Sequence, residues 1–345
     1  MENRIIVSKF GGSSLADFEA MKRSAHVVNM HQTQLVVVSA TYGTTNQLLE
    51  LIDLSLQDNW KYVTEKIEFI ENRHLLLAKE LNLPNVLLKH MKDLITELGT
   101  LCQGIFFLKE CSPKAKDRVQ SLGERISSTL FTQALRNEMP KASIDLLDVR
   151  KILKTDGQFT KASPITDQII KESKELKIEL ESNGNRFYVT QGFIGSNSSG
   201  DTTTLGRGGS DYSASILGEA LAAKEIQIWT DVAGIKTTDP KVCNQATRIA
   251  EISFKEAAEM ATFGAKILHP TTLTPAKRSL IPVFVGSSYE PDAPGTWIRN
   301  DITNPPLVRA ITTRSNQGLL TISNPEMLQA HGFLANIFKV FEKFD

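Results

Sequence analysis

The chain repeats one short pattern: a β-branched run, a glycine-bearing turn, then an amphipathic stretch of helical period. Arg4 to Phe10 (RIIVSKF) passes through Gly11, Gly12, Ser13 and Ser14 into DFEAMKRSAHVV, and Gln34 to Ser39 (QLVVVS) passes through ATYG into TTNQLLELIDL. Two such units so close together specify a parallel sheet built by βαβ crossovers, since consecutive parallel strands need a long, usually helical, return. The expected fold class is α/β. Ser14 with Asp17, and Thr44 with Gln47, stand at capping-box spacing and predict a helix start at each turn. Lys9 ends the first strand, where ligands of open α/β sheets sit beyond the carboxyl edge; its alternative reading is a surface lysine beside an ordinary turn.

From Trp60 to about Arg136 apolar residues recur at threes and fours, the signature of scaffold helices. His74 and His90 fall among leucines and lysines there and read as packing or surface groups. SLGER, Ser121 to Arg125, places Glu124 beside a glycine; alone it reads as a solvated helix residue, and otherwise as a carboxylate brought to a ligand. A strand over Ala142 to Leu147 leads into a basic, turn-rich excursion from Asp148 to Pro164, either a cover for a site or a connector. A helix over Asp167 to Ser182 and a strand over Arg186 to Gln191 follow.

Then comes TTTLGRGGSDYSA, Thr202 to Ala214, which sets hydroxyls, glycine N–H groups and Arg207 before a helix start. That is an anion seat, with a flexible Gly/Ser/Thr loop as the plainer alternative. Glu225 to Trp229 is a strand carrying Thr230 and Asp231 at its end. SFKEAAEMATFG predicts a helix stopped by Gly264, TTLTPAKRS another, and Ile281 to Gly286 a strand. Proline-rich segments close a domain near residue 300. Two strand-like runs (VRAITTRSNQGLLTIS) and an amphipathic helix within MLQAHGFLANIFKVFEKFD then read as the start of a small α+β domain.

Composition removes several classes of function. Thirty-nine basic residues balance thirty-nine acidic ones, so no global field recruits nucleic acid or an anionic membrane. The start has no signal-peptide pattern and no charge-free apolar run is long enough to span a membrane, so a cytoplasmic location is expected. Three cysteines without CxxC spacing, and no HExxH, read as reduced, mostly core thiols with no metal site. There is no Gly-Lys dipeptide for a P-loop, no Rossmann fingerprint and no protein-kinase motif. What remains is four strand-to-glycine turns with Lys9, Ser39, Arg207 and Asp231 at their ends, expected to share one sheet edge as one composite site for anionic ligands.

KFGGSS, VVSATYGTTN, SLGE, TQGFIGS, TTTLGRGGSDYSA, WTDVAGIKTTDP and EMATFGAKILHP, in this order and at these spacings, resemble the aspartate kinases of the amino-acid kinase superfamily, their bacterial lysine-sensitive form most closely. The resemblance runs from Val7 to the end of the chain. It implies a three-layer αβα sandwich with a mainly parallel, carbamate-kinase-like sheet over residues 1–300, and a partial, truncated ACT-like regulatory domain over residues 301–345. It further implies ATP-dependent phosphorylation of the β-carboxylate of L-aspartate, the first step toward lysine, threonine and methionine, with Mg²⁺ held mainly through the nucleotide phosphates. A carboxylate of reference pKa about 3.9 is ionised at neutral pH, so such a nucleophile needs no general base.

By the same resemblance, Lys9 with the N–H groups of Gly11 and Gly12 serves the transferring phosphate, Arg207 the α-carboxylate and Glu124 the α-ammonium of the substrate. Ser39, Thr45, Gly208 and Ser210 line the substrate site, and Asp211 organises the reacting centre by fixing Lys9 rather than acting as a base. Lys9, Gly12, Ser13, Thr230, Asp231, Lys236, Lys241 and Lys266 fall on nucleotide positions. Ser13, Lys236 and Lys241 stand where the family has threonine, tyrosine and arginine. Met327, Gly332 and Phe333 match the first ACT module, so lysine is the implied effector on an incomplete site, with weak or no inhibition expected, and the implied assembly is a homodimer. Two other readings stay open: a kinase of another carboxylate such as glutamate, and a non-catalytic remnant that binds nucleotide or amino acid or pairs with a longer subunit.

Overall fold

The β-branched runs form the middle of the molecule because both of their faces are covered. The computed structural model describes residues 5–57, 59–206, 208–265, 270–302, 306–313, 317–318, 320–323 and 332–342, and the chain divides into two compact units, Met1–Thr312 and Thr313–Asp345. The first unit opens with β1 (Ile6–Phe10), α1 (Phe18–His31), β2 (Leu35–Val38), α2 (Thr44–Ser55), α3 (Trp60–Glu80), α4 (Asn85–Leu108) and α5 (Pro113–Glu138). It continues with β3 (Ser143–Leu147), α6 (Thr166–Glu172), α7 (Lys174–Ser182), β4 (Arg186–Gln191), β5 (Ile194–Ser196), β6 (Thr202–Thr204) and α8 (Gly209–Ala220). It closes with β7 (Glu225–Thr230), β8 (Glu251–Ser253), α9 (Phe254–Thr262), α10 (Thr274–Arg278), β9 (Val283–Ser287) and β10 (Thr296–Arg299).

Eight strands form one sheet in the order β3-β4-β2-β1-β7-β9-β10-β8. The run from β3 to β9 is parallel throughout, β10 is antiparallel to β9, and β8 is parallel to β10. In β2 the pleat sends Val36 and Val38 into a core shared with α1 to α5, and Leu35 and Val37 into a second core with α6 to α10. This is the expected α/β sandwich. Lys9 pairs in register with Val37 on one side and Ile228 on the other, so the ends of β1, β2 and β7 lie side by side at one edge.

Several local expectations are corrected. Neither predicted capping box forms: Asp17 itself caps α1 by accepting from Ala20 N–H at 2.8 Å, and Gly43 (φ 77°) precedes α2. Ser14 is buried in a 3-10 turn, its hydroxyl 2.7 Å from that of Ser288. Among the described residues a capping box forms instead between Ser253 and Glu256 at α9. β6 belongs to a separate two-stranded hairpin with β5, so the Thr202–Ala214 stretch is not delivered by a strand of the main sheet. β8 and β10 carried no legible strand signal in runs of three and four residues. Of the cysteines only Cys102 is buried; Cys111 is half-buried and Cys243 exposed.

The 148–164 excursion runs along the hairpin, with Thr155 N–H donating to Ser196 O and Ala162 N–H to Thr204 O. The first unit extends to Thr312 because Arg309 reaches Glu256 at 3.0 Å and Ile311 N–H donates to Thr237 O. The strand-like runs after Pro306 form no strand among the described residues. The second unit contains α11 (Phe333–Phe341), none of whose side chains is buried. Among the described residues no helix is long and apolar enough to cross a membrane.

Candidate active site

Gly123 is what brings a carboxylate to the sheet edge. A Cβ on it would sit 2.8 Å from Ala40 Cβ, so only glycine lets α5 lie directly on the loop that leaves β2. That approach leaves Glu124 only 3% exposed, with Oε1 accepting from Ala40 N–H at 3.2 Å. Its Oε2 is buried with no hydrogen-bond partner among the described residues. Burial pushes the Glu124 carboxyl up to about 8, against smaller opposing pulls from the Ala40 N–H and the Lys9 ammonium. Glu124 is therefore not the solvated residue that helical periodicity alone suggests. It is a buried acid at the carboxyl edge of the sheet.

Opposite it, Lys9 Nζ lies 2.7 Å from Asp211 Oδ1, both side chains less than a fifth exposed. Asp211 stands in the first turn of α8, whose N-cap is Gly208 in the left-handed region (φ 73°), a conformation glycine adopts without penalty. Gly209 packs so closely on Phe193 that a Cβ there would come within 2.6 Å of the ring. Ser39 N–H donates to Phe10 O while Ser127 Oγ donates to Ser39 O, which ties the β2 turn to both β1 and α5. Gly11 N–H donates to Trp229 O, placing the first glycine turn beside the end of β7, where Thr230 Oγ1 donates to Asp231 Oδ1.

These groups enclose a cavity of about 500 Å³ lined by Lys9, Ser39, Thr45, Glu124, Gly208, Ser210 and Asp211 among the predicted residues. Thr204 and Gly206, within the stretch read as an anion seat, line it too, as do Lys116, Gln120, Thr160 and Phe193, which sequence reading gave no site role. Lys116 and Gln120 had a signal: with Glu124 they repeat every four residues on one face of α5. Thr160 and Phe193 had none of their own, since loop packing sets their positions. Thr230, Asp231 and Ser13 lie outside this cavity, and Lys236 and Lys241 are exposed on the 231–250 segment. Arg207, Lys266 and Met327 lie outside the described residues. Gly332 (φ 79°) caps α11, where Phe333 is the first residue. A larger cavity, about 780 Å³ between Arg248, Glu251, Trp297 and Arg309, contains none of the predicted site residues.

A parallel sheet with glycine turns at its carboxyl edge, a lysine on the central strand and a buried acid across the cavity define the class: the chain belongs to the amino acid kinase family, whose pattern matches residues 4–287. It is 46% identical over 342 residues to the lysine-sensitive aspartokinase 3 of Escherichia coli K12, covering 99% of this chain and 74% of that protein. Within the family, then, the chain is one of the aspartokinases. The crystal structure of E. coli aspartokinase III with aspartate and ADP (R-state) superposes with a TM-score of 0.86 at 45% identity, covering 98% of this chain and 74% of that one. The same enzyme with lysine and aspartate (T-state) gives 0.84 at 45% identity, covering 99% and 75%.

Proposed function

We propose that this chain transfers the γ-phosphoryl group of ATP to the β-carboxylate of L-aspartate, giving 4-phospho-L-aspartate and ADP. A carboxylate oxygen forms the new bond to phosphorus, the bond from the γ-phosphorus to the β,γ-bridging oxygen breaks, and the electron pair leaves on ADP. The nucleophile arrives ionised, so the protein's task is to hold two anions together and neutralise the charge that moves between them. The observation that carries the reading is the unpartnered Oε2 of Glu124 in the cavity. An α-ammonium supplies the missing partner and returns the carboxyl to its ionised state, so binding energy goes to an amino acid in particular.

In this reading Arg207 forks onto the substrate α-carboxylate, a bidentate task that suits a guanidinium. Ser39, Thr45 and Ser210 contact the substrate, and Lys9, held by Asp211, meets the transferring phosphoryl group with the N–H groups of Gly12 and Gly208, while Gly11 and Gly209, whose N–H groups donate to Trp229 O and Gly206 O, let the backbone come close. Thr230 and Asp231, with Ser13, Lys236, Lys241 and Lys266, take the nucleotide. Mg²⁺ neutralises phosphate charge when bound. Residues 1–300 act as the catalytic domain and residues 301–345 as the regulatory portion, with a homodimer as the assembly. The lysine complex of the E. coli relative makes lysine the first effector to titrate.

The test is ADP release from Mg·ATP that depends on aspartate, with hydroxylamine trapping the acyl phosphate. Folded protein that releases no ADP with aspartate but does so with glutamate refutes the substrate assignment. Calorimetric binding of both ligands without turnover establishes the non-catalytic alternative.

A further inference from the structure

One buried acid on α5 has no part in the chemistry above. Asp117 is fully buried, two helical turns before Glu124 on the same face of α5. Its carboxylate accepts from three donors: Thr160 N–H at 2.9 and 3.0 Å, shared between the two oxygens, Thr204 N–H at 2.9 Å and Thr204 Oγ1 at 2.8 Å. The two threonines come from different segments, the 148–164 excursion and β6, and both line the 500 Å³ cavity. Thr160 is also a β-branched residue at φ 72°, in the left-handed region that such residues avoid. Backbone of that kind persists where its surroundings over-determine it, and it gathers at ligand sites.

We propose that Asp117 is a positioning residue that holds the excursion and the β6 wall at a set distance from Glu124, and so fixes the grip on the amino-acid substrate. The proposal deepens the aspartokinase reading and rests on it for its kinetic arm. The geometry separates this role from general stability. The hydrogen bonds of Asp117 go to Thr160 and Thr204 while Lys9 pairs with Asp211, and those two threonines sit on the wall that carries Gly206 and Ser210 past the cavity. Losing the clamp therefore loosens the amino-acid half of the site and leaves the nucleotide half in place. An amide at this position cannot substitute for the carboxylate. Of two oxygens facing three donors, one becomes an NH₂ that opposes a backbone N–H.

The variant to make is Asp117→Asn in the full chain, with Thr204→Val, which removes one donor and keeps the shape. The expected result for Asp117→Asn is a KM for aspartate raised about tenfold, the scale set by one mismatched buried hydrogen bond, with kcat and the KM for ATP within about threefold of wild type. Thr204→Val raises the aspartate KM by less, and added to Asp117→Asn it brings no further increase, because the two share one interaction. An independent arm needs no turnover: amide hydrogen exchange in the unliganded chain shows Thr160 and Thr204 protected in wild type and fast in Asp117→Asn. Should wild type fail to phosphorylate aspartate, the functional reading falls and the exchange arm still decides the clamp. Unprotected amides in wild type, an unchanged aspartate KM, or losses shared equally by kcat and both KM values overturn the proposal.

Discussion

Replacing Glu124 by glutamine separates what this residue does for the fold from what it does for binding, and the two effects carry opposite signs. In the unfolded chain the carboxyl titrates near 4.5, while burial raises it to about 8 in the folded protein. A raised acid means the folded state holds a proton that the unfolded state gives up. Stability therefore falls as pH rises from 4.5 toward 8 and levels off above that. At about 1.4 kcal/mol per pH unit over that interval, the ceiling is about 5 kcal/mol. Glutamine keeps the shape, accepts from Ala40 N–H through its carbonyl oxygen, and carries no such titration.

Urea melts at pH 5, 6, 7 and 8 should accordingly show Glu124→Gln gaining on wild type at each step, by several kcal/mol across the range. Aspartate binding runs the other way. Losing a buried charge partner for the ammonium costs about 2 to 4 kcal/mol, a rise of about 30- to 900-fold in the aspartate KM. Wild type should also release close to one proton on binding aspartate at pH 7, read by calorimetry in two buffers of different ionisation enthalpy, and Glu124→Gln none. A pH-independent stability difference together with an unchanged aspartate KM refutes the buried-acid argument.

On the proposed role of its ammonium at the phosphoryl group in flight, Lys9→Ala should lower kcat by about 10² or more with smaller changes in both KM values; normal turnover removes that role. Gly123→Ala puts a methyl 2.8 Å from Ala40 Cβ, and should cost about 1–3 kcal/mol of stability by overpacking while raising the aspartate KM as α5 backs away; a melt and a kinetic run check both. His74 is fully buried, with Nδ1–H donating to Ile70 O at 2.7 Å and Nε2 accepting from Thr41 Oγ1 at 3.0 Å, and burial holds it down to about 4 against an ordinary 6.5. Its contribution is complete above pH 6.5 and is lost as pH falls toward 4, so the stability gap between wild type and His74→Gln should narrow over that interval, and a constant gap contradicts the neutral assignment.

What the chain encodes locally, it encodes plainly. The β-branched runs at Ile6–Phe10 and Leu35–Val38, each ending in a glycine turn before an amphipathic helix, suffice to specify a parallel α/β sheet, since period and turn chemistry act over a few residues. Lys9 at a strand end was legible for the same reason. The capping boxes failed because spacing alone does not say which backbone N–H each side chain meets. Ser14 is turned to Ser288, 274 residues away, leaving Asp17 to cap α1. The Thr202–Ala214 stretch counts in sequence among the turns at the sheet edge, yet it follows β6, which pairs with β5 outside the main sheet.

The character of the charged groups was decided only in three dimensions. Asp117 sits in an amphipathic helix whose sequence gives no reason to bury it, and the Gly-Glu pair at Glu124 leaves a solvated residue and a ligand-facing carboxylate both open. Glu124 is enclosed because Gly123 lets α5 settle on the Ala40 loop, a contact spanning 84 residues, and Asp117 because Thr204 arrives 87 residues later with its N–H and hydroxyl. The titration of a carboxyl depends on what excludes water from it and on which donors or cations face it. Neither is a property of neighbours in sequence. The strand, turn and helix pattern determines the sheet edge and its lysine, and tertiary packing alone encloses one acid behind Gly123 and ties the other to Thr160 and Thr204.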